Sequence, residues 1–376
     1  MQQHYDVIII GAGINGCSIA YELTQANQNV LLIDKEGIAC GGSGAAGAFI
    51  SPKFSKAGEL KKIINEAFVY AMQYYEHHFS SSFLQQQLLH IAKDEKEGEI
   101  LSFFKKETQL ELLEPSCEII SQLQEDAQAQ EYISLKAGIV DASSVCHAMA
   151  EKSDIIKYEV TNLQYHKGIW SIDGLYSAKH IVLATGAYKH LLDEEYIALR
   201  GVWGHRIDIQ TTTRNPYSIH QFVSISSSNK ENHLAIGATH DVHYHPQHAT
   251  QPYDYAKGRE ELLAKASKTL RLENITVLKD YTGLRSGSFD YMPIVGPLVQ
   301  SKETFACCEK KLRVKKPHYS TFVYYPNLTM INGSGGYGFV LAPYLAKILK
   351  EYILDKKEIP QSLLPARFFA RWAKRR

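Results

Sequence analysis

A chain of 376 residues, 45% of them hydrophobic and 22% charged, carries the apolar material for a large buried core, which excludes a disordered or fibrous protein. A formal net charge of +1 excludes a uniformly basic polyanion binder and an acidic solvating chain, and the length favours two domains over one. No apolar run reaches transmembrane length, no signal peptide is read ahead of the first strand, and the six cysteines show neither CxxC nor zinc spacing; no membrane association and a reducing, cytoplasmic location are therefore expected.

The first element is the most informative. Val7-Ile8-Ile9-Ile10 reads as a buried parallel strand, and Gly11-Ala12-Gly13-Ile14-Asn15-Gly16 follows without a gap. Ile19, Ala20 and Leu23 then mark one face of a helix, and a second strand, Val30-Leu31-Leu32-Ile33, ends at Asp34, eighteen residues after Gly16. Gly11 suits a tight turn, Gly13 the close approach of backbone to a pyrophosphate, and Gly16 the packing of helix on strand. The helix N-terminus offers free N–H groups and a positive dipole end to phosphates. Asp34 suits a ribose diol and would repel a 2′-phosphate, so FAD or NAD is expected over NADP.

A small-residue loop, Gly41 to Ala48, comes next, then a helix over about Gly58 to His78. Residues 81–137 are polar and mostly helical in pattern. The pattern changes at Gly138 to Asp141, where Ser143 or Ser144 is placed to cap a helix running to Met149. Short strands are expected around Ile155–Tyr165, Ile169–Ile172 and Leu175–Ala178, and His180 to Ala187 reads as a buried strand ending in a tight turn. Residues 201–321 alternate polar and apolar, the period of half-exposed antiparallel strands. Leu328 to Ile331 then leads into a second glycine cluster, Gly333 to Gly338, and a helix from Pro343 to Tyr352. The simplest architecture is α/β. A Rossmann-like nucleotide-binding domain is built from discontinuous segments (1–75, 138–200 and 322–376), and a mixed antiparallel α+β substrate domain (76–137 and 201–321) is inserted into it.

Five segments together, GAGINGCSIAYEL, GGSGAAGAF, HIVLATGAY, GLRSGSFDYMPIVG and GSGGYGFVLAP, resemble the D-amino-acid-oxidase-like FAD oxidoreductases in order and spacing. The resemblance implies FAD as cofactor, and its contacts would join Gly11, Gly13 and Gly16 to Ile14, Asn15, Asp34, Lys35, Gly41, Gly42, Ala46, Gly47, Ala48, Val160, Thr185 and Gly186. The second cluster, Ser334, Gly335, Gly336, Tyr337, Gly338, Phe339 and Val340, would face the flavin ring or its ribityl chain. No flavin-linking cysteine of the family's kind stands near Arg285, so non-covalent FAD is expected.

Within that family three stretches are similar to the oxidase half of the bacterial bifunctional tRNA-modifying enzymes that make 5-methylaminomethyl-2-thiouridine. They are Ser43 to Ala67, Leu234 to Thr239, and the basic, aromatic ending Leu364 to Lys374. This narrower likeness implies a free-standing oxidase acting on tRNA, with the methyltransferase as a separate partner. Its substrate would be a carboxymethylaminomethyl group on a wobble uridine, an N-substituted glycine; the alternative is a small-molecule oxidase of glycine, sarcosine or a D-amino acid.

The family implies Arg285 as the group that grips the substrate carboxylate, a task suited to a planar guanidinium. The competing reading is a structural ion pair, with Asp290 as the candidate partner. Tyr337 could cover the ring or merely pack, and His205 could line the cavity or hydrogen-bond within the fold. Gly336 replaces a bulky or cationic residue of some amino-acid oxidases and fits a roomier pocket. His240, His243, His245 and His248 fall on a loop without supporting cysteines, so no metal is expected. Three basic runs are candidate phosphate contacts: Lys53 to Lys62, Lys310 to Lys316, and Arg367 to Arg376.

Overall fold

The computed structural model describes residues 3–188, 191–312 and 317–376, without the side chains of 308–311, so most of the Lys310 to Lys316 run lies outside it. Two eight-stranded sheets organise the chain. At the centre of the first is Gln3–Ile10, with Val7, Ile8, Ile9 and Ile10 all buried. Such a continuous apolar run belongs to a strand covered on both faces. It pairs in parallel with Val30–Asp34 on one side and Tyr176–Leu183 on the other. Asp154–Lys157 extends the first side and Tyr324–Asn332 the second, again in parallel. Ile294–Val299 closes that second side antiparallel. The direction in which strands are added therefore reverses at Gln3–Ile10, and a doubly wound sheet binds ligands beyond its carboxyl ends at such a reversal.

The alternation of the central strand divides the core. Val7 and Ile9 meet the helices Ile14–Gln25, Glu59–His78, Ala142–Ala150 and Gly338–Asp355, whereas Ile8 and Ile10 meet Trp170, Tyr196, Phe368 and Phe369 on the other side. The second sheet runs Thr276–Ser288, Leu199–Gln210, His233–Gly237, Ser224–Ile225, Ser218–His220, Phe83–Ile91, Tyr132–Val140 and Phe49–Ile50. Its pairings are antiparallel except between Ser218–His220 and Phe83–Ile91, which are parallel. The α/β class expected from the sequence is the fold observed, with a Rossmann-like sheet assembled from distant segments beside a mixed one. Among the described residues, no helix is long and apolar enough to cross a membrane.

Three local expectations need correction. The stretch 81–137 holds a nine-residue strand, Phe83–Ile91, paired along its whole length with Tyr132–Val140. Gln85, Gln86 and Gln87 hide it, because they break the apolar alternation, while two of the amides find partners: Gln86 donates to Ser218 Oγ and Gln87 to Ser134 Oγ. The cap before Ala142–Ala150 is Asp141, whose Oδ1 accepts from Ser144 N at 2.7 Å, two and three residues ahead of the serines proposed. The last long helix starts at Gly338, so Pro343 lies inside it. Proline cannot donate to the carbonyl four residues back, and that carbonyl, Phe339 O, instead accepts from Tyr75 Oη at 2.8 Å.

The basic ending also differs from its expected role. Arg367 is buried and grips Asp290 with Nε at 3.0 Å and Nη2 at 3.1 Å, and Arg371 adds a third contact at 3.1 Å. Phe368 and Phe369 are core residues, and Arg376 pairs with Glu195. The helix Ala366–Ala373 is a structural brace, not a free phosphate-binding tail. Of the early lysines, Lys56 pairs with Glu99 at 3.3 Å and Lys62 with Glu66 at 3.9 Å.

Candidate active site

A cleft of about 380 Å³ opens beyond the carboxyl ends of the first sheet, where it meets the second. Residues at or just past the ends of four parallel strands line it: Gly11, Asp34, the run Ala184 to Gly186, and Asn332 with Ser334. Gly11 has φ +107°, and a Cβ there would overlap the Ala184 carbonyl; a Cβ on Gly16 would overlap the Gly11 carbonyl. Gly16 thus sets how close the helix lies to the strand while standing behind the cleft wall. At the helix N-terminus, Ile14 N donates to Ser43 Oγ at 2.9 Å. Asp34 is fixed by three backbone donors, Ala12 N to Oδ2 at 2.8 Å and Glu36 N and Gly37 N to Oδ1 at 2.8 and 3.0 Å. A carboxylate offers about four acceptor sites, so a ligand donor can still be accommodated.

The small-residue loop forms the next wall. A Cβ on Gly42 would sit 2.6 Å from the Leu284 carbonyl, so the loop runs flush against the strand Thr276–Ser288. Gly41, Ala46, Gly47 and Ala48 line the cleft with it. One buried side chain then ties three segments together. Asn332 Oδ1 accepts from Ser286 Oγ and Gly333 N, each at 2.8 Å, and its Nδ2 donates to Gly186 O at 2.9 Å. Ser334 Oγ donates to Asn15 Oδ1 at 3.2 Å and so joins the two glycine clusters across the whole chain. Gly335 and Gly336 have no heavy atom within 4 Å of where a Cβ would stand, which leaves this wall open.

Arg285 lines the cleft from the second sheet, backed by Gly204, where a Cβ would overlap its guanidinium. Burial depresses its pKa, and Nη2 donates to Thr239 O at 3.1 Å. Among the described residues no carboxylate pairs with it; Asp290, the competing candidate, is held by Arg367 and Arg371. Burial alone would push the Asp290 carboxyl up, but the Arg367 contact leads a set of interactions that holds it below the usual range. Tyr337 also lines the cleft; burial pushes its phenol up to about 12, and the Lys53 ammonium stands 5.5 Å from its ring centre.

Other expected residues stand elsewhere. His205 is fully buried outside the cleft wall, with Nε2 2.9 Å from Asp280 Oδ1 and Nδ1 3.4 Å from Tyr253 Oη, as a structural histidine is. Val160 and Val340 are core residues on opposite sides of the first sheet. Lys35 does not line the cleft, although its ammonium lies 5.1 Å from the ring of Tyr188, which does. Gly13, Ile14, Asn15, Thr185, Gly186, Gly338 and Phe339 are all in the wall. Among the described residues no group of three His, Cys, Asp or Glu side chains is placed to hold a metal.

The wall also contains His220, which the sequence did not mark. It follows two residues of a three-residue strand, and only the pairing of that strand with Phe83–Ile91 carries it to the cleft. Its ring meets Phe49 edge-on at 5.0 Å, and burial lowers its pKa to about 3, so it is neutral. Its Nε2 has no hydrogen-bond partner among the described residues.

Residues 6–352 match the family described as FAD dependent oxidoreductase, abbreviated DAO. The chain belongs to this family. FAD is its cofactor, and the cradle of glycines, helix N-terminus and fixed Asp34 fits an adenine dinucleotide. As a FAD-dependent oxidoreductase it is 26% identical over 397 residues to the Legionella pneumophila (strain Philadelphia 1) protein named tRNA 5-methylaminomethyl-2-thiouridine biosynthesis bifunctional protein MnmC. That match covers 96% of this oxidoreductase but 57% of the Legionella protein. Glycine oxidase of Bacillus subtilis is 24% identical over 334 residues, covering 79% of the chain and 85% of the relative. In fold, the oxidoreductase superposes on L-proline dehydrogenase from P. horikoshii with a TM-score of 0.75 at 18% identity, over 98% of each chain.

Proposed function

We propose that the chain oxidises the carboxymethylaminomethyl side chain of a tRNA wobble uridine and releases the carboxymethyl carbons as glyoxylate, leaving a 5-aminomethyl uridine. The first sheet would serve as the FAD-binding domain and the second as the substrate domain. The observation that carries the reading is Arg285, a desolvated guanidinium in the cleft wall with no carboxylate partner among the described residues. Such a group asks for an anion from outside the fold, and an N-substituted glycine supplies one. The open wall at Gly335 and Gly336 suits a bulky N-substituent, and the likeness to the Legionella protein along 96% of the chain favours a tRNA one.

Asp34 would hold the ribose of FAD, the N-terminus of Ile14–Gln25 its pyrophosphate, and the Ser334–Gly338 cluster its ring or ribityl chain. FAD supplies the two-electron oxidation of the carbon beside the amine. Arg285 would grip both carboxylate oxygens and so orient that carbon, while the neutral His220 lines the same cleft. The substrate C–N bond becomes an imine as two electrons and two protons leave; water then adds to the imine carbon and the C–N bond breaks, giving the aldehyde of glyoxylate and the primary amine. The methyl group that completes such a modification would come from a methyltransferase activity.

The test is turnover of tRNA bearing the carboxymethylaminomethyl group, read as glyoxylate and as the shortened nucleoside by mass spectrometry. Absence of both products with no reduction of the flavin would sink this reading. The likeness to the Bacillus glycine oxidase supports a second one, a small-molecule amine oxidase of glycine, sarcosine or a D-amino acid. Flavin bleaching by such an amine, with no response to tRNA, would favour it.

A further inference from the structure

The strand that carries Arg285 ends in a turn whose two aromatic residues stand in solvent: Phe289 is 65% exposed and Tyr291 62% exposed. They are not loose. Asp290 between them is held by Arg367 and Arg371, its Oδ1 accepts from Ser288 Oγ at 3.1 Å and Met292 N at 3.3 Å, and Ser288 Oγ also lies 2.7 Å from Met292 O. A turn braced this firmly presents its rings in a fixed position.

Beside it, the Arg200 guanidinium lies 4.5 Å from the centre of the Tyr291 ring. In the antiparallel ladder Arg200 faces Gly287 and Val202 faces Arg285, so Arg200 and Arg285 are diagonal neighbours on one face of the sheet. The loop histidine His240 reports the same cluster: burial lowers its pKa first, and Arg285 and Arg200 lower it further. Gly287 also bridges to Ser334 of the cleft wall, so the turn adjoins the cleft. Among the described residues Arg200 has no ion pair, and the one acid of the turn is matched by two other arginines. The patch therefore carries excess positive charge beside exposed rings.

We propose that Phe289, Tyr291 and Arg200 form a platform for unpaired nucleotides of an RNA, resting on the tRNA reading above. The rings stack bases next to the modified one, Arg200 meets a flanking phosphate, and the modified base reaches past them toward Arg285. Exposed aromatics with a cation behind one face are the usual furniture of single-strand recognition.

The probe is an RNA hairpin with an unpaired, anticodon-sized loop, binding to the flavin-loaded protein at one fixed salt concentration. The double variant Phe289→Ala with Tyr291→Ala should weaken binding roughly thirtyfold or more. Arg200→Gln should weaken it less and lower the slope of affinity on salt by about one. The flavin spectrum and melting temperature should be those of the parent protein, because the altered rings are exposed. Unchanged hairpin affinity in the double variant overturns the platform. So does a change of oligomeric state at unchanged affinity, which would assign the rings to a second copy of the chain. Loss of hairpin affinity in a protein that fails to oxidise the modified tRNA keeps the platform and removes the proposed substrate instead.

Discussion

Arg285 shows how much a single side chain can decide. Its guanidinium is desolvated, makes one hydrogen bond to a carbonyl, and faces an open cleft. Arg285→Ala should lower kcat/KM by about 2–4 kcal/mol, on the order of 30- to 1000-fold, with the flavin spectrum unaltered. Arg285→Lys should recover only part of that, since an ammonium cannot bond both carboxylate oxygens in one plane. Steady-state kinetics with the oxidised substrate checks both. Such residues were legible in the sequence where their requirement is local. Gly11 must adopt φ +107° and Gly42 must pass a neighbouring carbonyl, and both needs leave glycine in the sequence. His220 was illegible, because only a parallel pairing between Ser218–His220 and a distant strand brings it to the wall. His205 misled for the converse reason: it sits one residue from Gly204, which does line the cleft, and alternation turns its own ring away into Asp280 and Tyr253.

Among the elements, the C-terminal end of the chain carries two instructive cases. The helix Ala366–Ala373 looked like a basic surface because its charges are plain in the sequence and their partners are not. Arg367 finds Asp290 seventy-seven residues away and also donates to the carbonyls of Leu363, Leu364 and Met292. Arg367→Met should lower the unfolding free energy of the flavin-loaded protein by about 3–5 kcal/mol in urea titration, because Asp290 loses its main partner where water scarcely reaches. A second case is the helix Gly338–Asp355, which continues through Pro343 because Tyr75 takes the carbonyl that proline leaves unmet. Tyr75→Phe removes that donor and nothing else of the packing, and should cost about 1–3 kcal/mol in the same titration. The polar strand Phe83–Ile91 escaped the sequence reading for a related reason, since its pairing partners, not its own periodicity, hold it straight.

At the scale of the whole molecule, acid sensitivity follows from burial. His180 lies inside the first sheet against Thr329 Oγ1 at 3.0 Å, and burial, with a smaller push from Lys356, lowers its pKa from 6.5 to about 3. Unfolding returns it to its ordinary value, so the unfolded chain binds more protons between those limits. The stabilisation is therefore complete above about pH 6.5 and is lost as pH falls toward 3, by about 1.4 kcal/mol for each pH unit. His180→Gln should flatten the fall of melting temperature over that window, and an unchanged slope would remove this histidine as a cause.

The bond from Ser334 to Asn15 spans 319 residues, and the cleft it closes draws walls from both halves of the chain. A ribosome that has delivered only the first half has made no complete pocket, so colour arrives late in synthesis. Nascent chains released before Gly333 should stay colourless in the presence of excess FAD, which makes yellow a direct readout of finished translation.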